Sequence, residues 1–429
     1  MRDTPSSAEI SLAELAEEGR GRAQIQQLTE IASLLTSTFD VQQILSTLMG
    51  CALSAADAEV GALWLLEETL RPAVTWGLEE DVVRQILLGS SENAPEYITR
   101  TGEFFWSPDC ASDPRFARLP AGVSVESMLC VPLRNKGHAI GCIVIVNRPS
   151  QELREEDRDN LVALAAFATV AIDNARLHRV VLEKQALERE LGIARQVQLA
   201  LLPGGDPQGA GMEWASAYVP MGKVGGDYYD YVHGPDGLEC VVVADVSDKG
   251  VPAALFMAAA RNLVRHQAAE SSDPAEVVIG VNRTLCEDTE RFASMFVTLF
   301  FGSFDPRDRR FRFANAGHCP ALWLPRGGEP VWLSSEGTVL GQFPEARYVG
   351  GEVAMSPGDL LVLYTDGITE AAAPDGTMFR REGLLATVLD SRELAPRELA
   401  ARILERVREF SGAAGVGDDL TVVIGRVDP

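Results

Sequence analysis

Cysteine is scarce and scattered in this chain. The seven cysteines, Cys51, Cys110, Cys130, Cys142, Cys240, Cys286 and Cys319, form no Cys-x-x-Cys pair and have no histidine at zinc spacing, which argues against a zinc site and a disulfide framework. A reducing cytoplasm is the expected compartment. Positive charge is also short: 38 Lys+Arg against 62 Asp+Glu leave a formal net charge of −24, which repels phosphate backbones and anionic membrane surfaces. No nucleic-acid partner is expected. Long apolar runs are missing too. The N-terminus MRDTPSSAEISLAELAEEG has no apolar leader core, and the longest apolar stretch, LVALAAFATVAI, meets Asp173 before it could span a bilayer. Neither export nor membrane insertion is expected.

What is present is an ordinary composition, 46% hydrophobic and 23% charged over 429 residues, enough for two or three domains with cores of their own. Residues 1–24 are polar and acidic and read as a loose N-terminal arm. Residues 25–174 follow the order of a small α/β module. A helical pair, LTEIASLLTSTF and DVQQILSTLMGCAL, precedes the strand EVGALWLL. The run SMLCVPLRNKGHAIGCIVIVNR places two apolar strands around Asn135-Lys136-Gly137, a hairpin turn. REEDRDNLVALAAFATVAIDNARL closes the module as one helix with acids in its first turn.

That order, with LCVPL and GCIVIVNR, resembles a GAF domain, a sensor module whose members bind cyclic nucleotides, haem, other small molecules or only a partner. The Asn-Lys, Phe, Asp-Glu signature of the nucleotide-binding members is replaced here by Asn147-Arg148, Leu153 and Asp157-Arg158, which speaks against a cyclic nucleotide and leaves the GAF ligand or regulatory partner open. Cys130 and Cys142 are better read as buried strand residues than as redox sensors, and Trp64, Trp76 and Trp106 as core.

Residues 175–202, beginning ARLHRVVLEKQALERELGIARQVQLALL, continue the closing helix as a linker up to Pro203. With Leu177 at an a position, Val180, Leu187, Leu191, Ala194 and Leu201 fall on one seam, with Lys184 and Gln198 as polar a positions. The pattern suggests a short parallel coiled coil and a homodimer. A plain amphipathic connector packed on its own domain explains it equally well. Gly192 lowers helix stability by about 1 kcal/mol relative to alanine and would suit a joint.

The remaining residues, 203–429, carry the chemistry. Four stretches place an aspartate at or beside the end of a strand-like apolar segment: KVGGDYYDY with Asp227, VVVADVSDKG with Asp245, LLVLYTDGIT with Asp366 and GDDLTVVIG with Asp418 and Asp419. By contrast, Asp236-Gly237 and Asp375-Gly376 follow a proline in polar surroundings and read as plain turns. Carboxylates gathered within a few ångströms cannot all stay ionised unless cations oppose them. Oxygen ligands without histidine or thiolate suit Mg²⁺ or Mn²⁺, and two such ions ~3.5–4 Å apart can activate water against a phosphate ester.

GGDYYD, ADVSDKGVPAALFM, NAGH, VLG, LYTDGITE and DDLTVV, in this order, resemble the metal-dependent protein phosphatases of the bacterial stage-II-sporulation-E branch. The lead-in ELGIARQVQLALLP matches the helix before that catalytic domain. The resemblance implies an α+β protein in which a GAF module and a helical linker precede an αββα sandwich. It implies two metal ions, a serine/threonine phosphatase activity, and a phosphorylated anti-sigma-factor antagonist as substrate. It also implies that Asp245 bridges both metals, that Asp366 and Asp418 complete one carboxylate shell, and that Asp227 holds the other ion's waters. The carbonyl of Val246 is the further ligand, and Asp419 is the alternative to Asp418. Two features depart from eukaryotic relatives. Val246, Ser247 and Asp248 stand where a candidate general-acid histidine is found, and the phosphate-binding arginine has no counterpart near Asp227. His318 of NAGH is better read as shaping a turn than as an acid. Lys223, Lys249 and Asn315 are candidate phosphate contacts, with surface solvation the plainer account of the lysines.

DKGVPAALFMAAARNLVRH reads as a helix just beyond Asp245, with Pro252 in its first turn. A shift of that helix would move the Asp245 backbone and the Val246 carbonyl, so the GAF module is expected to act through the 175–202 helix. Two rivals stand beside the phosphatase. A catalytically silent scaffold would not need all four aspartates, and a nucleotide cyclase would need purine-reading residues that this chain does not show.

Overall fold

The computed structural model describes residues 40–77, 94–110, 112–113, 125–148, 152–207, 211–289 and 295–429. The expected N-terminal arm and the helix LTEIASLLTSTF lie outside the described residues. The chain divides into two compact units, Met1–Ala186 and Leu187–Pro429. The division falls inside the helix Glu155–Leu201.

In the first unit, helix α1 (Val41–Ala55) begins at Asp40, whose carboxylate accepts the N–H groups of Gln42 and Gln43, satisfying donors that have no partner inside the helix. Its apolar residues recur at helical spacing, so Ile44, Leu45, Leu48, Met49 and Ala52 share one buried face. A five-stranded sheet follows in the order β2 (Leu70–Trp76), β1 (Val60–Leu66), β5 (His138–Val146), β4 (Met128–Asn135), β3 (Phe105–Ser107). The β4–β5 hairpin turns on Lys136 and Gly137, with φ of 48° and 90°, the paired positive angles of the tight turn expected there.

Helix α2 (Ala94–Thr101) lies on one face of this sheet, where Ile98 joins Trp64, Cys130, Cys142 and Val144. On the other face, α1 and the start of helix α3 (Glu155–Leu201) bury Leu161, Leu164, Ala168 and Ile172 against Leu63, Leu129, Val131 and Ile143. Among the described residues, α3 is the one helix long and apolar enough to cross a membrane; in its first half Leu161, Leu164, Ala168 and Ile172 pack on the sheet, while Val162, Phe167 and Val170 are exposed. The tryptophan expectation needs one correction. Trp64 is core, Trp106 is half-buried, but Trp76 ends the edge strand β2 and is 48% exposed.

The second unit is built on two five-stranded antiparallel sheets. The first has the order β13 (Gly351–Ala354), β10 (Arg310–Ala316), β9 (Val297–Asp305), β8 (Glu239–Val246), β7 (Tyr228–His233). The second has the order β12 (Val331–Leu333), β11 (Ala321–Leu324), β14 (Leu360–Tyr364), β15 (Leu420–Val427), β6 (Met212–Val219). Helices α4 (Val251–Glu270) and α5 (Pro274–Thr289) cover the first sheet; after the single turn α6 (Asp366–Thr369), α7 (Arg380–Asp390) and α8 (Pro396–Ser411) lie on the side of the second. The result is the expected αββα sandwich. Strand β14 shows why LLVLY is apolar throughout. Leu361 and Leu363 point into the core shared with the first sheet, whereas Leu360, Val362 and Tyr364 pack against α7 and α8, so both faces are buried.

Candidate active site

The sandwich gathers its aspartates because each lies at a strand end. Asp227 immediately precedes β7, Asp245 is the last but one residue of β8, Asp366 follows β14 after a single threonine, and Asp418 and Asp419 precede β15. β7 and β8 are neighbours in one sheet, β14 and β15 in the other. The loop before β7 comes close to the end of β8. A Cβ on Gly226 would lie 2.8 Å from the Val246 carbonyl oxygen and 3.1 Å from Asp245 Oδ1, so only glycine lets the two backbones approach.

Asp227 is buried, and its Oδ2 accepts hydrogen bonds from Thr365 Oγ1 at 2.8 Å and from Thr421 Oγ1. Both hydroxyls come from the second sheet and both threonines are fully buried, so they fix a carboxylate that belongs to the first. Sequence reasoning missed them. The available signal was their place, one residue before Asp366 and two after Asp419. Asp419 is also buried, with Oδ1 accepting the Met221 N–H at 2.8 Å and Oδ2 the Gly226 N–H at 3.1 Å. Asp418 is half exposed and its Oδ2 meets Lys249 Nζ at 2.9 Å.

Like charge is concentrated here. Burial, and then the Asp245 carboxylate, hold Asp227 well above the usual carboxylate range. Burial, followed by Asp366 and Asp418, pushes Asp245 up to about 7. Burial and the neighbouring Glu370 and Asp418 raise Asp366. Among the described residues, Lys249 is the cation that pairs with this group, and it sits on the outer carboxylate, Asp418. Carboxylates and a backbone carbonyl form an all-oxygen donor set suited to a hard divalent cation. Among the described residues no three acidic, histidine or cysteine side chains close into a metal cage of their own.

A cavity of about 280 Å³ opens on this group, lined among others by Asp245, Asp418, Lys249 and Lys223. Both candidate lysines therefore border the site. Asn315 does not serve as a phosphate contact: its side chain donates to the His318 carbonyl at 3.0 Å and accepts the His318 N–H at 2.7 Å, closing the NAGH turn. His318 is buried, its Nδ1 lies 2.8 Å from Thr298 Oγ1, and burial pushes its pKa down to about 4. Its backbone closes the NAGH turn, the role that the sequence suggested.

Residues 235–428 match the family model Stage II sporulation protein E (SpoIIE), and residues 40–172 match the GAF domain model. Phosphoserine phosphatase RsbU of Bacillus subtilis (strain 168) is 27% identical over 244 residues, covering 57% of this chain and 71% of RsbU. Protein IcfG of Synechocystis sp. is 32% identical over 225 residues, but this chain spans only 35% of its length. Among solved structures, the SiaA-PP2C domain of Pseudomonas aeruginosa is similar at 25% identity with a TM-score of 0.50, over 57% of this chain and 99% of that one.

Proposed function

We propose that this chain, a GAF domain joined to a phosphatase domain of the stage II sporulation protein E family, is a signalling protein-serine/threonine phosphatase whose catalysis depends on divalent cations and is regulated through the GAF domain. The observation that carries the proposal is that Asp245, at a strand end of one sheet, lies within electrostatic reach of Asp227 beside it and of Asp366 and Asp418 at strand ends of the other sheet.

Asp245, Asp366, Asp418 and the Val246 carbonyl would hold the ions, with Asp245 between them and Asp227 ordering the water around one. Mn²⁺ or Mg²⁺, two per site, would supply an activated water and neutralise phosphate charge. Asp419 is assigned to the loop, because both of its oxygens already hold backbone N–H groups. Lys249 and Lys223, on the cavity, favour the approach of an anionic phosphate to a strongly acidic protein. His318, neutral and buried, is not the acid that protonates the leaving group.

The substrate we assign is a phosphorylated anti-sigma-factor antagonist, the class implied by the family resemblance. All seven cysteines are free thiols, in keeping with a reducing cytoplasm. Leu177, Val180 and Leu187 are exposed on α3, and we assign their cover to a second copy of the chain in a homodimer.

The test is phosphate release from a phosphoserine peptide and from p-nitrophenyl phosphate while Mn²⁺ or Mg²⁺ is titrated, comparing wild type with Asp366→Asn. Metal-dependent release that the substitution abolishes supports the assignment. No release by the full chain from these or from a phosphorylated antagonist protein, at any metal concentration, would leave a catalytically silent scaffold.

A further inference from the structure

Between Leu187 and Leu201, helix α3 has a single buried residue, and it is polar. Gln198, at an a position in the heptad pattern, is 5% exposed. It does not face a second helix across a coiled-coil seam. Both ends of its amide meet the backbone of one residue: Nε2 donates to the Gly225 carbonyl at 2.6 Å, and the Gly225 N–H donates to Oε1 at 3.0 Å. A helix side chain thus makes the paired hydrogen bonds that a neighbouring strand would make.

The residue it grips has little freedom of its own. A Cβ on Gly225 would lie 1.9 Å from Asp419 Oδ2 and 2.5 Å from Tyr218 Oη. Gly226, next in the chain, donates to Asp419 and accepts the Val246 N–H at 3.4 Å. Asp227 follows directly. The loop that delivers Asp227 is therefore held from three sides: by α3 through Gln198, by the start of β15 through Asp419, and by the end of β8. Removing the amide would leave the Gly225 N–H and carbonyl buried without partners, which the loop would relieve by moving.

We propose that Gln198 is a positioning residue that makes the Asp227 loop an extension of helix α3, so that the end of this helix sets the affinity of the site for its cations. The proposal rests on the metal-site reading above and adds the element that controls it. No side chain of α3 touches substrate in this scheme. The helix acts on the loop, and the loop on the carboxylates.

The experiment uses the full chain with Gln198→Met, close in size but without the hydrogen bonds, and Gln198→Glu, which keeps the acceptor for the Gly225 N–H and loses the donor. Mn²⁺ affinity is read without turnover from the electron paramagnetic resonance signal of the free ion, and the loop is read by amide hydrogen exchange. Gln198→Met is expected to weaken Mn²⁺ binding by about tenfold or more. It should deprotect residues 221–227 while β8 and β15 stay protected, and approach wild-type kcat at saturating Mn²⁺, with Gln198→Glu between the two. An unchanged Mn²⁺ affinity overturns the proposal, whether exchange is unchanged or protection falls uniformly across the unit, because Gln198 would then matter only for stability. If the wild-type chain binds no Mn²⁺, the metal reading itself has failed. The exchange data then still show whether Gln198 holds the loop.

Discussion

Two buried aspartates, Asp157 in the first unit and Asp227 in the second, are pushed in opposite directions by what faces them. Burial alone would raise Asp157, but hydrogen bonds from Arg154 and Arg148 outweigh it and hold the carboxyl below its ordinary range. Arg148 Nη2 lies 2.6 Å from Asp157 Oδ2, and the rest of its guanidinium donates to the carbonyls of Ala56 and Glu152. This pair is closed, tying the end of α1, the segment after β5 and the start of α3 together. Asp227 is as deeply buried, yet the charge that acts on it most strongly is another carboxylate, Asp245. Burial does not separate a carboxylate paired for structure from one proposed to hold a cation. The sign of the facing charge does.

The contrast breaks most sharply at Asp245. Asp245→Asn removes the charge opposite Asp227 while keeping its shape. Metal-dependent phosphate release should fall by on the order of 10³-fold, while the thermal midpoint of the metal-free chain should be no lower than that of wild type, since repulsion has been relieved. A metal-free midpoint several degrees lower would show that Asp245, like Asp157, is held by partners that stabilise its charge.

At the other pole, Arg148→Ala opens the closed pair. It leaves Asp157 with Arg154 alone, whose side chain is 72% exposed. Breaking a buried pair from one side costs about 3 kcal/mol or more, to be read as a lower urea midpoint for the first unit at pH 7. The effect should depend on pH with a definite sign. The folded-state pKa of Asp157 lies below its unfolded value. The pair therefore contributes fully above about pH 4 and loses its contribution as pH falls through the lower, folded value. The penalty of Arg148→Ala should shrink in acid. A penalty that is the same at pH 7 and pH 2 would mean that Arg148 stabilises through its bonds to Ala56 and Glu152 and not through charge.

The same asymmetry explains what could be read in the sequence. The places of Asp245, Asp366 and Asp418 were legible because each lies at or beside the end of a strand-like apolar run, and the Lys136-Gly137 turn because its residue types demand positive φ. Thr365 and Thr421 were not, since a hydroxyl in or just beyond a strand gives no sign of the carboxylate it will meet across a sandwich. Asp230 was passed over inside GGDYYDY for the same reason: it is buried and paired with Arg265 of α4 at 2.6 and 2.7 Å, a partner 35 residues away. Gln198 was placed on a dimer seam because heptad spacing records which residues share a helix face, not what that face meets. Leu177, Val180 and Leu187 are exposed, whereas Leu191, Ala194 and Leu201 are half-buried within their own unit. Trp76 was taken for core because a large aromatic ring favours burial, whereas its strand lies at the edge of the sheet.

The smallest expected effect sharpens the comparison from a third side. His318 is a buried titratable group with neither the closed charge pair of Asp157 nor the like-charge neighbour of Asp227. Its Nδ1 meets a hydroxyl, Thr298 Oγ1, and burial keeps the ring neutral down to about pH 4. A group that stays neutral across the working range cannot give up a proton as an imidazolium. His318→Gln should therefore leave kcat within about threefold of wild type and the pH–rate profile between pH 5 and 9 unshifted, where losing a true general acid would cost about 10²–10⁴-fold. A loss in that larger range, together with a displaced alkaline limb, would move His318 from the turn it closes into the chemistry. It would also mean that a buried group needs no charged neighbour to be functional.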